Sequence, residues 1–259
     1  MRFACGIEYD GADFSGWQRQ PHASSVQAAV EAALSRVADH PVAVCCAGRT
    51  DAGVHATGQV IHFDSDAVRT PRSWLLGANA NLRGDARVLW VKPVDEEFHA
   101  RFSALARSYR YIILNRDVPS ALWRQRVTWR YGTLDVERMR AGANALVGQR
   151  DFTSFRALAC QAKSPVRIVH RLEIARRGEF IYIDVEANAF LHHMVRNIAG
   201  VLIAVGCGDR DPAWVQEVLD RCDRTQGGVT APAAGLYLVG VRYPEAYEIA
   251  PVAALPEFQ

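Results

Sequence analysis

The order of strand-like and helix-like segments is the feature of this sequence that most restricts its fold. Residues 2–9 alternate in the manner of a strand, and the apolar stripe that follows Ser24 predicts a helix that Ser24 can cap. Further along, two strand patterns within 166–187 are joined through Gly178 as a hairpin. A doubly wound parallel sheet needs regular alternation of strands and helices. The mixed order, which includes hairpins, therefore predicts an α+β protein.

The strand and helix patterns divide the chain into two halves of similar outline. The first half has the order β-α-β-β-α-β and ends with a strand at 86–94, and the second half opens with a strand at 107–114. We therefore predict two similar halves, 1–105 and 106–259, each a mixed or antiparallel sheet backed by helices. Because no linker rich in proline, glycine or serine separates them, we expect the halves to pack closely. The other predicted elements are strands at 41–46, 58–64 and 235–243, helices from Pro71 and over 135–147, 190–206 and 211–222, and an irregular tail after Pro244.

Positive charge is concentrated in one part of the chain. Residues 101–177 contain 15 Arg and one Lys against five acids, a net charge of +11. The remainder carries 14 basic and 23 acidic residues, a net charge of −9, so the total is +2. Such a segment favours a polyanionic partner, and the planar fork of arginine donates bidentately to phosphate. A GC-rich genome would also enrich arginine, so charge alone does not decide for nucleic acid.

Several sequence features predict a cytoplasmic protein that does not enter a membrane. No apolar run reaches the roughly 20 residues that a membrane-spanning helix needs, and the N-terminal segment lacks the pattern of a signal peptide. No pair of cysteines has CxxC spacing, so we expect buried free thiols rather than disulfides or a metal site. The cysteines are Cys5, Cys45, Cys46, Cys160, Cys207 and Cys222.

The segment GRTDAGVHA, residues 48–56, is the strongest candidate for a site of chemistry. It forms a predicted loop between two apolar strands, and Gly48 and Gly53 allow the backbone to turn tightly and a ligand to come close. Asp51 lies in this loop two residues after Arg49. A carboxylate held beside an arginine stays ionised and suits a nucleophile or a base. A structural aspartate bonded to loop amides fits the same pattern equally well.

Two further segments offer side chains with two possible roles each. The predicted strand after residue 106 places Tyr109 and Tyr111 on one face, where they fit either the core or a platform for stacking bases. Arg196 lies among apolar residues of a predicted helix, where a guanidinium is costly unless it is paired. Its partner could be Asp51, or the side chain could reach water at the edge of the helix.

In combination, these segments resemble the motifs of the tRNA pseudouridine synthase A family. The resemblance covers nearly the whole chain, and the tail beyond Pro244 has no matching motif. It implies isomerisation of uridine to pseudouridine at tRNA positions 38, 39 and 40 in the anticodon stem-loop, by a homodimer that uses no cofactor and no metal. It also implies a catalytic cleft between the two halves. The matching segments, in order, are YDGADFSGWQRQP, SVQ, GRTDAGVHATGQV, FHARFSALARSYRYII, DFTSFRA, KSPVRI, FLHHMVRNIAG and GLYLVGVRY.

The resemblance also assigns roles to individual residues. By matching motif, Asp51 is implied to be the catalytic nucleophile, Tyr109 the active-site tyrosine that stacks on the target base, and Arg196 the basic partner of Asp51. A uridine in or beside a stem must be flipped out of the stack before it can react. Arg49 is close to Asp51 in sequence and is our candidate substrate-binding residue, which would fill the vacated space.

Two other functions fit parts of the sequence. An RNA-binding module without catalysis would use the arginines and tyrosines, and its function would survive Asp51→Asn. A hydrolase would use Asp51 as nucleophile and would need a residue to activate water, for which His55 is the nearest choice.

Overall fold

The computed structural model describes residues 1–250 and 255–258 of the chain. Its elements, in chain order, are β1 (Arg2–Tyr9), α1 (Val26–Ala38), β2 (Cys45–Cys46), β3 (His55–Asp64), α2 (Pro71–Asn81), β4 (Ala86–Val94), β5 (Ala106–Asn115), β6 (Thr128–Arg130), α3 (Val136–Ala143), β7 (Gly148–Asp151), β8 (Val166–Arg177), β9 (Phe180–Ala187), α4 (Met194–Gly206), α5 (Trp214–Asp220) and β10 (Leu236–Arg242). The predicted α+β class is confirmed.

The chain forms two compact units. The first comprises Met1–Leu105 and Tyr237–Pro256, and the second Ala106–Leu236 and Glu257–Gln259. Almost all of β10 therefore belongs to the first unit, although the second unit precedes it in the chain. The bounds 1–105 and 106–259 stay a prediction about domains.

The first unit is a sheet backed by two helices. Its strands run in the order β4-β1-β3-β10, with β2 alongside β3. All of these pairs are antiparallel except β3 with β10, in which Tyr237 lies opposite His55. Helix α2 packs on α1 and on β4. The rings of Phe3, Phe63 and Trp74 are fully buried where α2 meets the sheet, and adjacent centroids lie 4.9 to 5.7 Å apart.

The helix starts of the first unit follow from their capping residues. Helix α1 is capped by Ser25, whose hydroxyl accepts from the amide of Ala28, so the prediction of Ser24 is wrong by one residue. Helix α2 begins at Pro71 as predicted, after Thr70 accepts from the amide of Ser73 at 3.1 Å. The strand predicted over 41–46 is limited to the two residues of β2.

The strands of the second unit run in the order β5-β9-β8-β7, with β6 parallel to β5. The predicted hairpin of β8 and β9 is confirmed, and Gly178 in its turn has a φ of 57°. Helix α3 packs on β8, α4 and α5, while α4 also contacts β5. The short strands β6 and β7 were not predicted.

The helices of the second unit are shorter than the sequence predicted. Helix α4 begins at Met194 rather than at 190, because His193 has a φ of 63°, which a right-handed helix cannot contain. Helix α5 begins at Trp214, after a turn that includes Pro212. The pattern over 135–147 divides into α3 and a 3-10 turn.

Further predictions concern the cysteines, the membrane and the tail. All six cysteines are free thiols, as predicted, but only Cys5 is buried. Cys46, Cys160 and Cys207 are half-buried and Cys45 and Cys222 are exposed, so the prediction of burial is confirmed for Cys5 alone. Burial raises the pKa of Cys46 to about 12. None of the helices in the described ranges has the length and apolar character needed to cross a membrane. The predicted tail contains a 3-10 turn at Glu245–Tyr247, and its residues 251–254 and 259 lie outside the described ranges.

Candidate active site

The loop that carries Asp51 is fixed by main-chain contacts with the segment that follows β1. The amide of Trp17 donates to the carbonyl of Thr50 at 3.0 Å, and the amide of Gly53 donates to the carbonyl of Phe14 at 3.3 Å. These bonds hold the loop on either side of Asp51, whose side chain is half-buried. The backbone position of the carboxylate is therefore set by residues about 35 positions earlier in the chain.

Two glycines make this close approach possible. Gly16 has a φ of 97°, and a Cβ added to it would lie 2.8 Å from the carbonyl oxygen of Thr50. A Cβ on Gly11 would overlap the carbonyl group of Val54. A side chain at either position would push the two segments apart.

Buried polar side chains form hydrogen bonds with residues of the loop that carries Asp51. The hydroxyls of Tyr9 and Thr50 share a hydrogen bond of 2.8 Å. The amide of Gln59 is fully buried, and it donates to the carbonyl of Gly48 at 2.7 Å while its oxygen lies 3.4 Å from the Gly48 amide. Neither Tyr9 nor Gln59 was predicted as a site residue, although both lie in segments that match family motifs.

His55 has a structural position at the end of the loop. Its side chain is only 2% exposed, and its ring stacks on Tyr237 with centroids 4.7 Å apart. The Nδ1 atom accepts from the amide of Gly11 at 3.0 Å, and it lies 3.1 Å from Oδ1 of Asp10. Because a nitrogen that accepts this bond has its lone pair occupied, the arrangement suits packing better than the activation of water.

Arg49 differs from its neighbours because its side chain is exposed. Within the described parts of the chain, its guanidinium forms no ion pair with a carboxylate. It is therefore accessible to an anionic ligand near the loop.

The two tyrosines of β5 differ in their surroundings. Tyr111 is completely buried, and its hydroxyl bonds to Thr128 at 2.5 Å and to the carbonyl of Pro232 at 2.9 Å. Burial raises the pKa of Tyr111, so this residue belongs to the core. Tyr109 is 8% exposed and meets the ring of Phe190 edge to face at 4.9 Å. Of the pair, Tyr109 is the one that retains an accessible edge.

Arg196 lies in the first turn of α4 and is half-buried. Its Nε donates to the carbonyl of Ala231 at 2.8 Å, and the amide of Ala231 donates back to the carbonyl of Arg196 at 3.1 Å. The next residue, Asn197, is buried and accepts from Arg224 and Thr230. Residues 224–231 are thus fastened along α4, and they hold one edge of the Arg196 guanidinium. The pairing of Arg196 with Asp51 stays a prediction.

One further cluster in the first unit contains residue types that bind metals. Cys45, His62 and His99 each place a potential ligand atom within 4.8 Å of the others. However, Nδ1 of His62 accepts from the amide of Ala100, and Nδ1 of His99 accepts from the amide of Arg101, both at 3.1 Å. A neutral imidazole that accepts at Nδ1 carries its proton on Nε2. The tautomers that the backbone selects therefore do not suit a metal centre.

Protonation of His62 should make stability depend on pH. Burial lowers the pKa of His62 from 6.5 to about 4, and nearby His99 and Arg2 add to the effect while Asp64 opposes it. This difference corresponds to about 3 kcal/mol. Between pH 6.5 and 4 the unfolded chain binds a proton that the folded chain resists, so stability should fall as the pH falls through this window.

Urea unfolding at several pH values measures this dependence. We expect His62→Gln to flatten the decline between pH 6.5 and 4, whereas His22→Gln, which removes an exposed imidazole, should leave it unchanged. Parallel pH profiles for the wild type and His62→Gln would contradict the assignment.

Comparison with known proteins identifies the class of protein. A family model described as tRNA pseudouridine synthase matches residues 6–103 and 143–244. The tRNA pseudouridine synthase A of Methylococcus capsulatus is 61% identical over 96% of this chain and 92% of its own length. The protein of the same name from Nitrosococcus oceani is 57% identical over 96% of this chain and 96% of its own length. The one from Shewanella sediminis is 54% identical over 100% of this chain and 99% of its own length.

A solved structure described as a Cbf5–Nop10–Gar1 complex aligns with 78% of this chain and 45% of that chain, at a TM-score of 0.32 and 13% identity. A similarity of this size carries no weight for the fold.

The matches define an isomerase that acts on uridine in tRNA. The chain belongs to the tRNA pseudouridine synthase family, since the family model and full-length relatives at 53 to 61% identity cover it nearly end to end. The resemblance found in the sequence is thereby confirmed. The alternatives of a non-catalytic RNA-binding module and of a hydrolase are wrong.

Proposed function

We propose that this enzyme isomerises uridines at positions 38, 39 and 40 of the tRNA anticodon stem-loop, with Asp51 as catalytic nucleophile. The observation that carries the proposal is the fixed, half-buried carboxylate of Asp51 in a loop clamped through Thr50 and Gly53. A carboxylate whose backbone cannot move is pre-organised for attack on a bound nucleotide. The choice of positions is supported by the resemblance of the motifs to the tRNA pseudouridine synthase A family.

The reaction requires a nucleophile but no change of oxidation state. The bond between the sugar C1′ and base N1 breaks, the base rotates, and a bond between C1′ and C5 forms. The hydrogen leaves C5 as a proton, and N1 gains one, so product and substrate are isomers. Asp51 can assist by adding to C6 of the base, from which it is eliminated after the new bond forms, or by attacking C1′, from which C5 then displaces it. Because the reaction is redox-neutral, we propose that it proceeds without a cofactor.

We assign supporting roles to three other side chains. Tyr109, whose ring is held by Phe190, would stack on the target base. Arg196, anchored by Ala231, would keep the carboxylate of Asp51 ionised and oriented. The exposed Arg49 would occupy the space left by the flipped uridine.

Tyr109→Leu and Arg196→Gln should each lower kcat more than they weaken tRNA binding. An unchanged kcat for either variant would show that the substituted residue does not belong to the site.

We further propose that the enzyme is a cytoplasmic homodimer and that the basic second unit holds the RNA backbone. Many arginines of the segment 101–177 pair with carboxylates and are not available to phosphate. Those pairs are Arg110–Asp184, Arg116–Glu179, Arg140–Glu137, Arg171–Glu173 and Arg177–Glu257. Exposed arginines outside these pairs, among them Arg124 and Arg150, would bind RNA, so tRNA affinity should fall steeply with salt. Sedimentation of the purified chain tests the dimer.

Tritium release tests the activity and the target positions together. Pseudouridine formation expels the hydrogen from C5, so tRNA transcribed with uridine labelled at C5 should release tritium when it carries uridine at 38, 39 or 40. The matched control is the same transcript with cytidine at all three positions, which should release none. Equal release from both transcripts would contradict the proposed positions, and no release from any tRNA would contradict the activity.

A further inference from the structure

Two arginines lie directly opposite each other at an edge of the second unit's sheet. Arg150 in β7 is paired with Arg167 in β8, and β7 is the outermost strand on this side in the described ranges. Directly opposite residues of an antiparallel pair project from the same face, with Cβ atoms about 4.5 to 5.5 Å apart. Two like charges in this position repel each other and destabilise the strand pair. The placement therefore calls for a reason other than the stability of the sheet.

No carboxylate compensates this charge. In the parts of the chain that the structure describes, neither Arg150 nor Arg167 forms an ion pair. The nearby acid Asp151 has its carboxylate bonded to the amide of Thr153 at 2.8 Å. By contrast, the neighbouring Arg171 in β8 pairs with a carboxylate at 2.9 Å. The opposed pair is thus a local excess of positive charge.

Each of the two guanidinium groups donates hydrogen bonds to backbone carbonyls near it in the chain. Arg150 bends back over Gly148 and donates to the carbonyls of Ala145 and Gln149 at 3.2 and 3.0 Å. Arg167 bends the other way and donates through Nη1 to carbonyls at residues 164 and 166. Opposite directions are expected of two cations that repel each other.

Arg167 also retains an unsatisfied hydrogen-bond donor. Its Nε is buried and has no acceptor among the described residues, and burial lowers the pKa of the side chain. A buried donor without a partner costs free energy, so the side chain is not at its most stable in this position. An anion placed between the two arginines would remove the repulsion.

We propose that Arg150 and Arg167 together bind one phosphodiester group of the tRNA backbone at the β7–β8 edge. The inference rests on the proposed function, because it takes the tRNA as its ligand. A phosphodiester has two anionic oxygens, and an arginine fork donates to such a group bidentately. Arg150 is exposed and reaches solvent, while Arg167 is half-buried and fixes the position of the phosphate.

The salt dependence of tRNA binding tests the shared phosphate. Each phosphate contact contributes about 0.7 to 0.9 to the slope of log K against log salt concentration. We expect the double variant Arg150→Gln/Arg167→Gln to reduce the slope by the amount that belongs to one phosphate contact, although it removes two arginines. The Kd for tRNA should rise about tenfold near 0.1 M salt. The matched control is Arg171→Gln, which removes the same charge from β8 but takes it from a residue already neutralised by Glu173. Its slope should change less.

A stability measurement separates a ligand site from a role in folding. Arg150→Gln alone relieves the repulsion without removing a buried group, so the urea midpoint of the free protein should stay the same or rise while the Kd for tRNA rises. A lower midpoint with unchanged Kd would overturn the proposal. An unchanged salt slope in the double variant would overturn it, and a loss of about twice the expected slope would mean two separate phosphates instead of one.

Two further outcomes distinguish the ligand and the underlying function. If inorganic phosphate raises the melting temperature of the wild type but not of the double variant, and tRNA binding is equal in both, the site takes free phosphate and not RNA. If the wild type releases tritium from tRNA and the variants keep the salt slope of the wild type, the shared phosphate site is overturned and the proposed function is not. A wild type that neither binds nor modifies tRNA overturns the proposed function as well.

Discussion

Asp51→Asn is expected to lower the rate of pseudouridine formation by at least about 10⁴-fold, a loss typical of removing a nucleophile. Asparagine keeps the size of the side chain, and the loop backbone is fixed by Trp17 and Phe14, so the loop should keep its shape. The Kd for tRNA should therefore stay within about threefold of the wild type. Single-turnover tritium release and a filter-binding titration measure the two quantities.

The control for this substitution is Asp13→Asn, an isosteric change at an exposed aspartate of the segment that clamps the loop. It should leave the rate within about twofold. If Asp51→Asn kept more than about a hundredth of the wild-type rate, Asp51 would not be the nucleophile.

Gly16→Ala is expected to cost about a hundredfold in kcat, because a displacement of about 1 Å at a reacting group is enough for a loss of this size. The φ of 97° is strained for alanine, and the new Cβ would press on the carbonyl of Thr50, directly before Asp51. The substitution therefore moves the carboxylate without altering it. Steady-state kinetics with tRNA, together with urea unfolding, would separate the loss of rate from any loss of stability.

The matched control is Gly84→Ala, since a Cβ there meets no atom within 4 Å and the backbone needs no positive φ. This variant should be fully active. If Gly16→Ala had the kcat of Gly84→Ala, the contact between the two segments would not position Asp51.

The main elements could be predicted from the sequence because their signals are local. Strand alternation, the helix start at Pro71 and the Gly178 turn each depend on neighbouring residues, and each is found in the structure. The start of α4 was placed too early because the apolar Phe190 and Leu191 precede the helix, while His193 between them and the helix has a positive φ. Strands β6 and β7, of three and four residues, are too short to show a period.

The surroundings of the candidate site are much harder to predict, because they depend on contacts between distant parts of the chain. Asp51 was found from its loop motif, but Tyr9 bonds to Thr50 across 41 positions. The pairing of Arg150 with Arg167 follows from the register of a strand that the sequence did not reveal. Local patterns in the sequence do not show which residues of two strands lie opposite each other.

The position of β10 has a consequence for the order in which the enzyme is made. This strand lies beside β3, and its Tyr237 stacks on His55 at the end of the loop that carries Asp51. Residues 106–236, almost the whole second unit, must leave the ribosome before it. The nascent chain therefore carries Asp51 early but lacks the ring that packs at the end of its loop until β10 has been synthesised. The packing around this loop is thus completed only after the residues of the second unit have been made.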